Sequence, residues 1–359
     1  MAGRARLCGK RSVSPRWRRS AADSGVSAAA NTGSGGGGAS GSAIGFAEEG
    51  GEGGSGIVVL RYTPPPSNYY SRTSGDWSAN STWSTTGCNG ASATSTPHAG
   101  ADVVICDSHA VALNVNASVR GLEIQTGGGD TSLTHLGNNG LTVGATGVVI
   151  NAGATATQEK SWNINAGKAQ VNGNVRINGG NNRNRLSRIV LSTGTLDING
   201  NLTFGDNPDN APIQMTEAAN ILLSGALEVT SGSGRLEPGL QGTFTYDGAG
   251  PQSVVLGVSG INYHNLVLTG GDIKTQTFGP IATITGTTTV AAGTQFNNRA
   301  QTIYQGGFIN NGTTVVSAEQ QYQGNFTNTG SYSASAAQNY QGDFTNTGTF
   351  ASGSQEHRF

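Results

Sequence analysis

The chain of 359 residues has 11% charged side chains, 35% hydrophobic ones and 57 glycines, a mixture that suits turns and stacked strands better than a conventional apolar core. Its formal charge of −1 hides an asymmetry: residues 1–19 carry seven of the 20 Lys and Arg and no acid, so the rest holds 13 basic against 21 acidic side chains. That balance argues against a nucleic-acid groove over the main body, and no run of 18 apolar residues offers a membrane-spanning helix.

The opening "MAGRARLCGKRSVSPRWRRS" has a charged start but no apolar stretch behind it, so it is not a secretory signal. No aromatic or helical pattern organises its charges, and it reads as a disordered or misassigned leader rather than a phosphate- or membrane-contacting arm. Residues 20–55 are Gly, Ala and Ser, too poor in large side chains to form a core. A short strand "IVVLRY" (57–62) follows, and "TPPPSNYYS" reads as a stiff linker. The Gly-rich run leading into "GGSGIVVLRY" resembles the end of the glycine-rich domains of phage tail and bacterial surface proteins. The expected division is thus 1–56 for leader and low-complexity segment, and 57–74 for strand and linker.

From residue 75, Trp77 and Trp83, the turn Pro97–Asp102 and the strands "DVVIC" and "AVALNV" resemble the opening segment of bacterial surface β-helices and G8-type modules. The resemblance implies that a solenoid of an extracellular protein begins here, with a Trp/Cys cap and first strands over 75–135. Beyond it, "GLTVGATGVVINAG", "AQVNGNVRINGG", "RIVLSTGTLDINGNLTF" and "NILLSGALEVTSGSGRLEPG" repeat one grammar: short alternating strands bounded by Gly or Asn. "GTFTYDGAGPQSVVLGVSGINYHNLVLTGGDIKT" resembles a phrase of large bacterial adhesins of the haemagglutinin type.

Near the C-terminus one phrase occurs three times at a register of 18 residues. Tyr304, Tyr322 and Tyr340 open the copies; Phe308, Phe326 and Phe344 follow at +4, Asn310, Asn328 and Asn346 at +6, and Gly312, Gly330 and Gly348 at +8. All offsets are even, the periodicity of a strand and not of a helix. One such unit cannot bury its apolar face alone, so copies must stack Tyr on Tyr and Phe on Phe. Asn is expected at a turn, tolerating a left-handed backbone and bonding its own copy one coil away, and the +8 Gly is expected to permit the corner. "GTTTVAAGTQFNN" (286–298) reads as a degenerate fourth copy, and "SQEHRF" stops about where another begins, which suggests a fragment of a longer polypeptide. The fold class expected is all-β: a right-handed parallel β-helix preceded by a disordered Gly-rich segment, with room for about 12 coils between about 100 and 359, the solenoid domain over 136–359 and the 18-residue repeats over 304–359.

Candidate chemistry is sparse. Cys88 and Cys106 flank the cap and are expected to pair, the alternative being two unlinked thiols, one buried in "VVIC". "GGGD" (127–130) and "GGD" (270–272) are isolated and read as turns rather than calcium loops, and the five His show no paired spacing. "NINAGKAQ" has Trp162 where a P-loop needs its first Gly. A carbohydrate lyase or hydrolase needs converging acids; the acids here are scattered, with Asp206 and Asp209 in "GDNPDNAP" the nearest pair, equally explained as a Pro-bounded turn. Trp77, Trp83 and the Tyr stripe could stack on sugars if exposed, but their strand face must be internal. An ice-binding surface would need a regular Thr array, and the Thr positions keep no single register along the sequence. No catalytic residue, metal or cofactor is expected. The reading is an extracellular or cell-surface structural and adhesive stalk, contacting glycans or other surface components weakly and many at once, with a β-helical polysaccharide-processing enzyme or tailspike as the alternative.

Overall fold

The computed structural model describes residues 26–30, 33–38, 49–56, 65–154, 157–181, 184–229, 233–276 and 279–359. The strand expected at 57–62 and the basic leader lie outside them. Contacts divide the chain into two units, Met1–Pro65 and Pro66–Phe359. In the first, extended glycine-rich segments bond through their backbones, with Gly37 N donating to Val26 O and Gly51 N to Gly37 O, both at 2.9 Å.

The second unit is a β-solenoid of about 11 turns whose regular structure is nearly all β and whose coils pair in parallel. Pairing begins within the expected linker: Asn68–Ser71 lies parallel to Asp102–Ile105 and antiparallel to Trp83–Ser84. Each later coil contributes a strand to three faces. The first face runs from Thr131–His135 through Glu159–Asn165, Leu186–Leu191, Ile213–Met215 and Ser233–Glu237 to Ser259–Ile261. A bridge from Tyr263 to Ile284 hands it on to Ala282–Ile284, Thr302–Tyr304, Gln320–Tyr322 and Gln338–Tyr340. The second face is continuous from Ala117–Ile124 to Phe344–Asn346. The third has two runs, one ending at Leu227–Val229 and one starting at Gln252–Val254.

Coil length is not constant. On the second face Ala169 pairs with Leu141, 28 residues earlier, and then with Leu196, 27 later. The step falls through 25 (Leu196 to Ile221), 23 (Ile221 to Phe244) and 22 (Phe244 to Leu266) to 18 for Phe308 to Phe326. The solenoid therefore widens over its first coils, where the steps are 19 (Val103 to Leu122) and 24 (Ala117 to Leu141), and then tapers. In the wide part the interior is mostly aliphatic, as in the ladder Ile105, Ile124, Ile150 and Ile177 on the third face, which passes to Phe204. Alternation along each strand sends these side chains inward and their neighbours outward.

In the narrow part like stacks on like. Tyr304, Tyr322 and Tyr340 have centroids 5.1 and 4.9 Å apart and rings 6° from parallel; Phe308, Phe326 and Phe344 follow at 5.7 and 5.1 Å. These spacings are close to the separation of neighbouring strands. Phe359 continues the Tyr column, stacked on Tyr340 at 5.1 Å. In the degenerate copy, Thr288 and Val290 occupy the Phe and Asn positions, while Phe296 pairs on another face with Thr314.

Three details differ from the sequence expectation. Asn310, Asn328 and Asn346 end strands and none has a left-handed backbone; Asn310 and Asn328 are buried, and Nδ2 of each donates at 2.7 Å to Oδ1 of the next copy. Their role is to satisfy one another inside the core, where an unpaired amide is costly. The +8 glycines are needed for close approach rather than for a positive φ: a Cβ on Gly330 would overlap the carbonyl oxygen of Gly312. Thr residues that keep no register along the sequence fall into one outward column on the second face, Thr245, Val267, Thr289, Ile309, Thr327 and Thr345, because unequal coils bring unequal spacings into line. Val267 and Ile309 interrupt the Thr series.

Candidate functional site

The repeat residues are scaffold. Tyr304, Tyr322, Phe308 and Phe326 are buried, and burial pushes the phenols of Tyr304 and Tyr322 up from their ordinary range, so this stripe is closed to ligands. Trp77 and Trp83 are buried as well, edge to face at 4.8 Å, with Trp83 Nε1 donating to Trp77 O at 2.8 Å. Cys88 and Cys106 form a disulfide, Cα atoms 5.8 Å apart, that ties the loop after Trp83 to the strand Asp102–Ile105.

"GGGD" is a structural loop. Gly128 N and Gly129 N donate to Asp107 at 2.9 and 3.0 Å, and Asp130 Oδ1 accepts from Glu159 N at 2.9 Å. The fully buried Lys160 reaches the same carboxylate at 2.5 Å and also donates to Gly129 O and Thr131 Oγ1. Burial works against the Asp107 charge, but the Lys160 bond and the two amides outweigh it and hold its pKa at about 2. "GGD" is a tight turn, with Gly270, Gly271 and Asp272 all left-handed. Among the described residues no group of three His, Cys, Asp or Glu could hold a metal ion.

The acids that look scattered in the sequence partly converge. Asp206 and Asp209 separate: Asp206 lies 3.9 Å from Arg176 Nη2, while Asp209, on the 3-10 turn Pro208–Asn210, faces a groove of about 520 Å3 on the first face. Alternation in Ser233–Glu237 buries Leu236 and turns Arg235 and Glu237 outward into that groove. Arg235 Nε is 2.5 Å from Glu237 Oε1, and Nη1 donates to Asp209 O at 2.9 Å. Glu237 Oε2 accepts from Gln214 Nε2 at 2.7 Å; Gln214 Oε1 accepts from Arg188, whose Nη2 is 2.6 Å from Glu159. A line of outward polar groups from four coils thus ends at the groove.

The floor of the groove is backbone. Gly260 has φ +76°, and a Cβ there would overlap Gly234 O; a Cβ on Gly234 would overlap the Ile261 side chain. Pairing of the two strands slips between Ser233 and Leu236, the irregularity of a bulge. Asn262, exposed, completes the rim. The groove sits where the first face passes from its wide run to its narrow one. Arg235, Glu237 and Asn262 escape a sequence reading because Arg235 and Asp209 are 26 residues apart and meet only through coil register. The one local signal is "GRLE", whose period of two puts Arg and Glu on one side.

No family model, curated protein or solved structure matches the chain.

Proposed function

We propose that the chain is a structural and adhesive stalk of an extracellular or cell-surface protein, of the kind its sequence resembles in bacterial adhesins and phage-associated proteins. The observation that carries this reading is the parallel stack of about 11 turns, continuous along its second face and locked in its last coils by stacked Tyr and Phe rings and the Asn310–Asn328–Asn346 amide chain, which makes a rod about 50 Å long at the usual strand separation. Outside, the second face shows a repeating column of Thr with Val and Ile. Such a surface suits weak contact repeated along a polymer and multiplied by copies.

A second reading, a polysaccharide-processing enzyme, draws support from Asp209, Arg235 and Glu237 in one groove. Against it stands the engagement of both Glu237 oxygens, by Arg235 and Gln214: two-carboxylate hydrolysis needs one acid free to protonate and another free to attack or to activate water.

Beads carrying the full chain at increasing density, passed over mucin and over plant and bacterial polysaccharides, test the two together. Retention that climbs steeply with density and releases no soluble sugar supports the stalk; newly formed reducing or unsaturated ends in the eluate would replace it with the enzyme.

A further inference from the structure

We infer that the groove of Asp209, Arg235, Glu237 and Asn262 is a docking site for a neutral oligosaccharide. The inference rests on the glycan-contact reading above and assigns it a place. The volume of about 520 Å3 lies within the range of small-molecule sites, about 300–1,000 Å3. Asp209, Arg235, Glu237 and Asn262 bring two carboxylates, a guanidinium and an amide together over a glycine floor. These planar groups match vicinal hydroxyls, each of which can donate to a carboxylate and accept from a guanidinium or amide.

Charge selects within that class. Asp209 and Glu237 outnumber Arg235, so a uronate or phosphate meets a net negative wall, while a neutral polyol meets donors and acceptors of both kinds. The groove is also set before any ligand arrives. Arg235 is held by Glu237 and Asp209 O, and Glu237 by Gln214, so little side-chain freedom is lost on binding.

The test is titration of the full chain with cello-, xylo- and malto-oligosaccharides, followed by saturation-transfer NMR and calorimetry. The wild type is compared with Arg235→Met, Asn262→Ala and, as a control on the third face, Ser333→Ala, an exposed position outside both the groove and the Thr column. At least one neutral series is expected to bind, with affinity lowered tenfold or more by Arg235→Met, severalfold by Asn262→Ala and not at all by Ser333→Ala. Oligouronates of equal length are expected to bind more weakly. Asn262 is an exposed rim residue, so its variant keeps the test sound should Arg235→Met disturb the fold. Neutral sugar bound equally by wild type and both groove variants would overturn the groove while leaving glycan contact standing; no sugar bound by the wild type would overturn both.

Discussion

Trp162 donates its indole N–H to Nε2 of His135 at 3.0 Å inside the solenoid. An indole can only donate, so Nε2 must be the bare nitrogen and Nδ1 carries the proton, which it gives to Asn139 O at 2.9 Å. His135 is therefore held neutral. Burial pushes its pKa down to about 4, only partly opposed by the Asn139 bond. The folded pKa is depressed, so the unfolded chain takes a proton near 6.5 and the folded one does not. The contribution of His135 is complete above pH 6.5 and is lost as pH falls towards 4. Unfolding free energies from urea titrations at pH 7.5 and 5.0 should differ by about 2 kcal/mol through His135 in the wild type, and by much less in His135→Asn.

Asp107 titrates lower. Its pKa of about 2 against an ordinary 3.8 makes its contribution full above pH 4 and lost as pH falls towards 2. Asp107→Asn leaves the Lys160 ammonium buried with only Gly129 O and Thr131 Oγ1. The Asp107 side chain is 30% exposed, so solvent screens part of the loss, and about 2–3 kcal/mol is expected rather than the upper end for a broken buried pair. Lys160→Met should cost less than Asp107→Asn, because the Gly128 and Gly129 amides still hold the carboxylate. Equal losses in thermal denaturation would contradict this order.

Glycines at neighbouring positions of the repeat, +2 in one copy and +3 in another, should behave differently. A Cβ on Gly324 would overlap Gly306 O, whereas one on Gly307 meets nothing nearer than 3.6 Å. Gly324→Ala should destabilise by about 3 kcal/mol and Gly307→Ala by no more than about 0.5 kcal/mol, read from denaturant midpoints.

The Cys88–Cys106 bond closes a separation of 18 residues, for which chain entropy gives about 3 kcal/mol. Reduction, or the double replacement by Ala, should lower the stability of the first coils by roughly that amount. Hydrogen exchange should quicken in Asn68–Ser71 and Asp102–Ile105 and stay unchanged around Tyr322.

The narrow end was legible in the sequence because its coils share one length: Phe308, Phe326 and Phe344 recur at 18 and stack at 18. In the wide end coil length changes along the stack, so the partners Leu196 and Ile221, 25 apart, or Gln214 and Glu237, 23 apart, follow no common spacing and appear only once register is known. The groove was hidden for the same reason. Local alternation shows that Arg235 and Glu237 share a side; only the coil joining them to Pro208–Asn210 shows what they face. The Asn column was found but misplaced, since an amide buried against its own copy leaves the same trace in the sequence as one in a turn.

The taper has a genetic corollary. Where successive rungs have equal length, a unit can be duplicated or lost by recombination and the neighbours on either side still meet in step. In the broad half most rungs are fitted to unlike neighbours, and gain or loss of one would leave mismatched surfaces. Change in the reach of this molecule is therefore easiest by whole steps of 18 residues in its slender part.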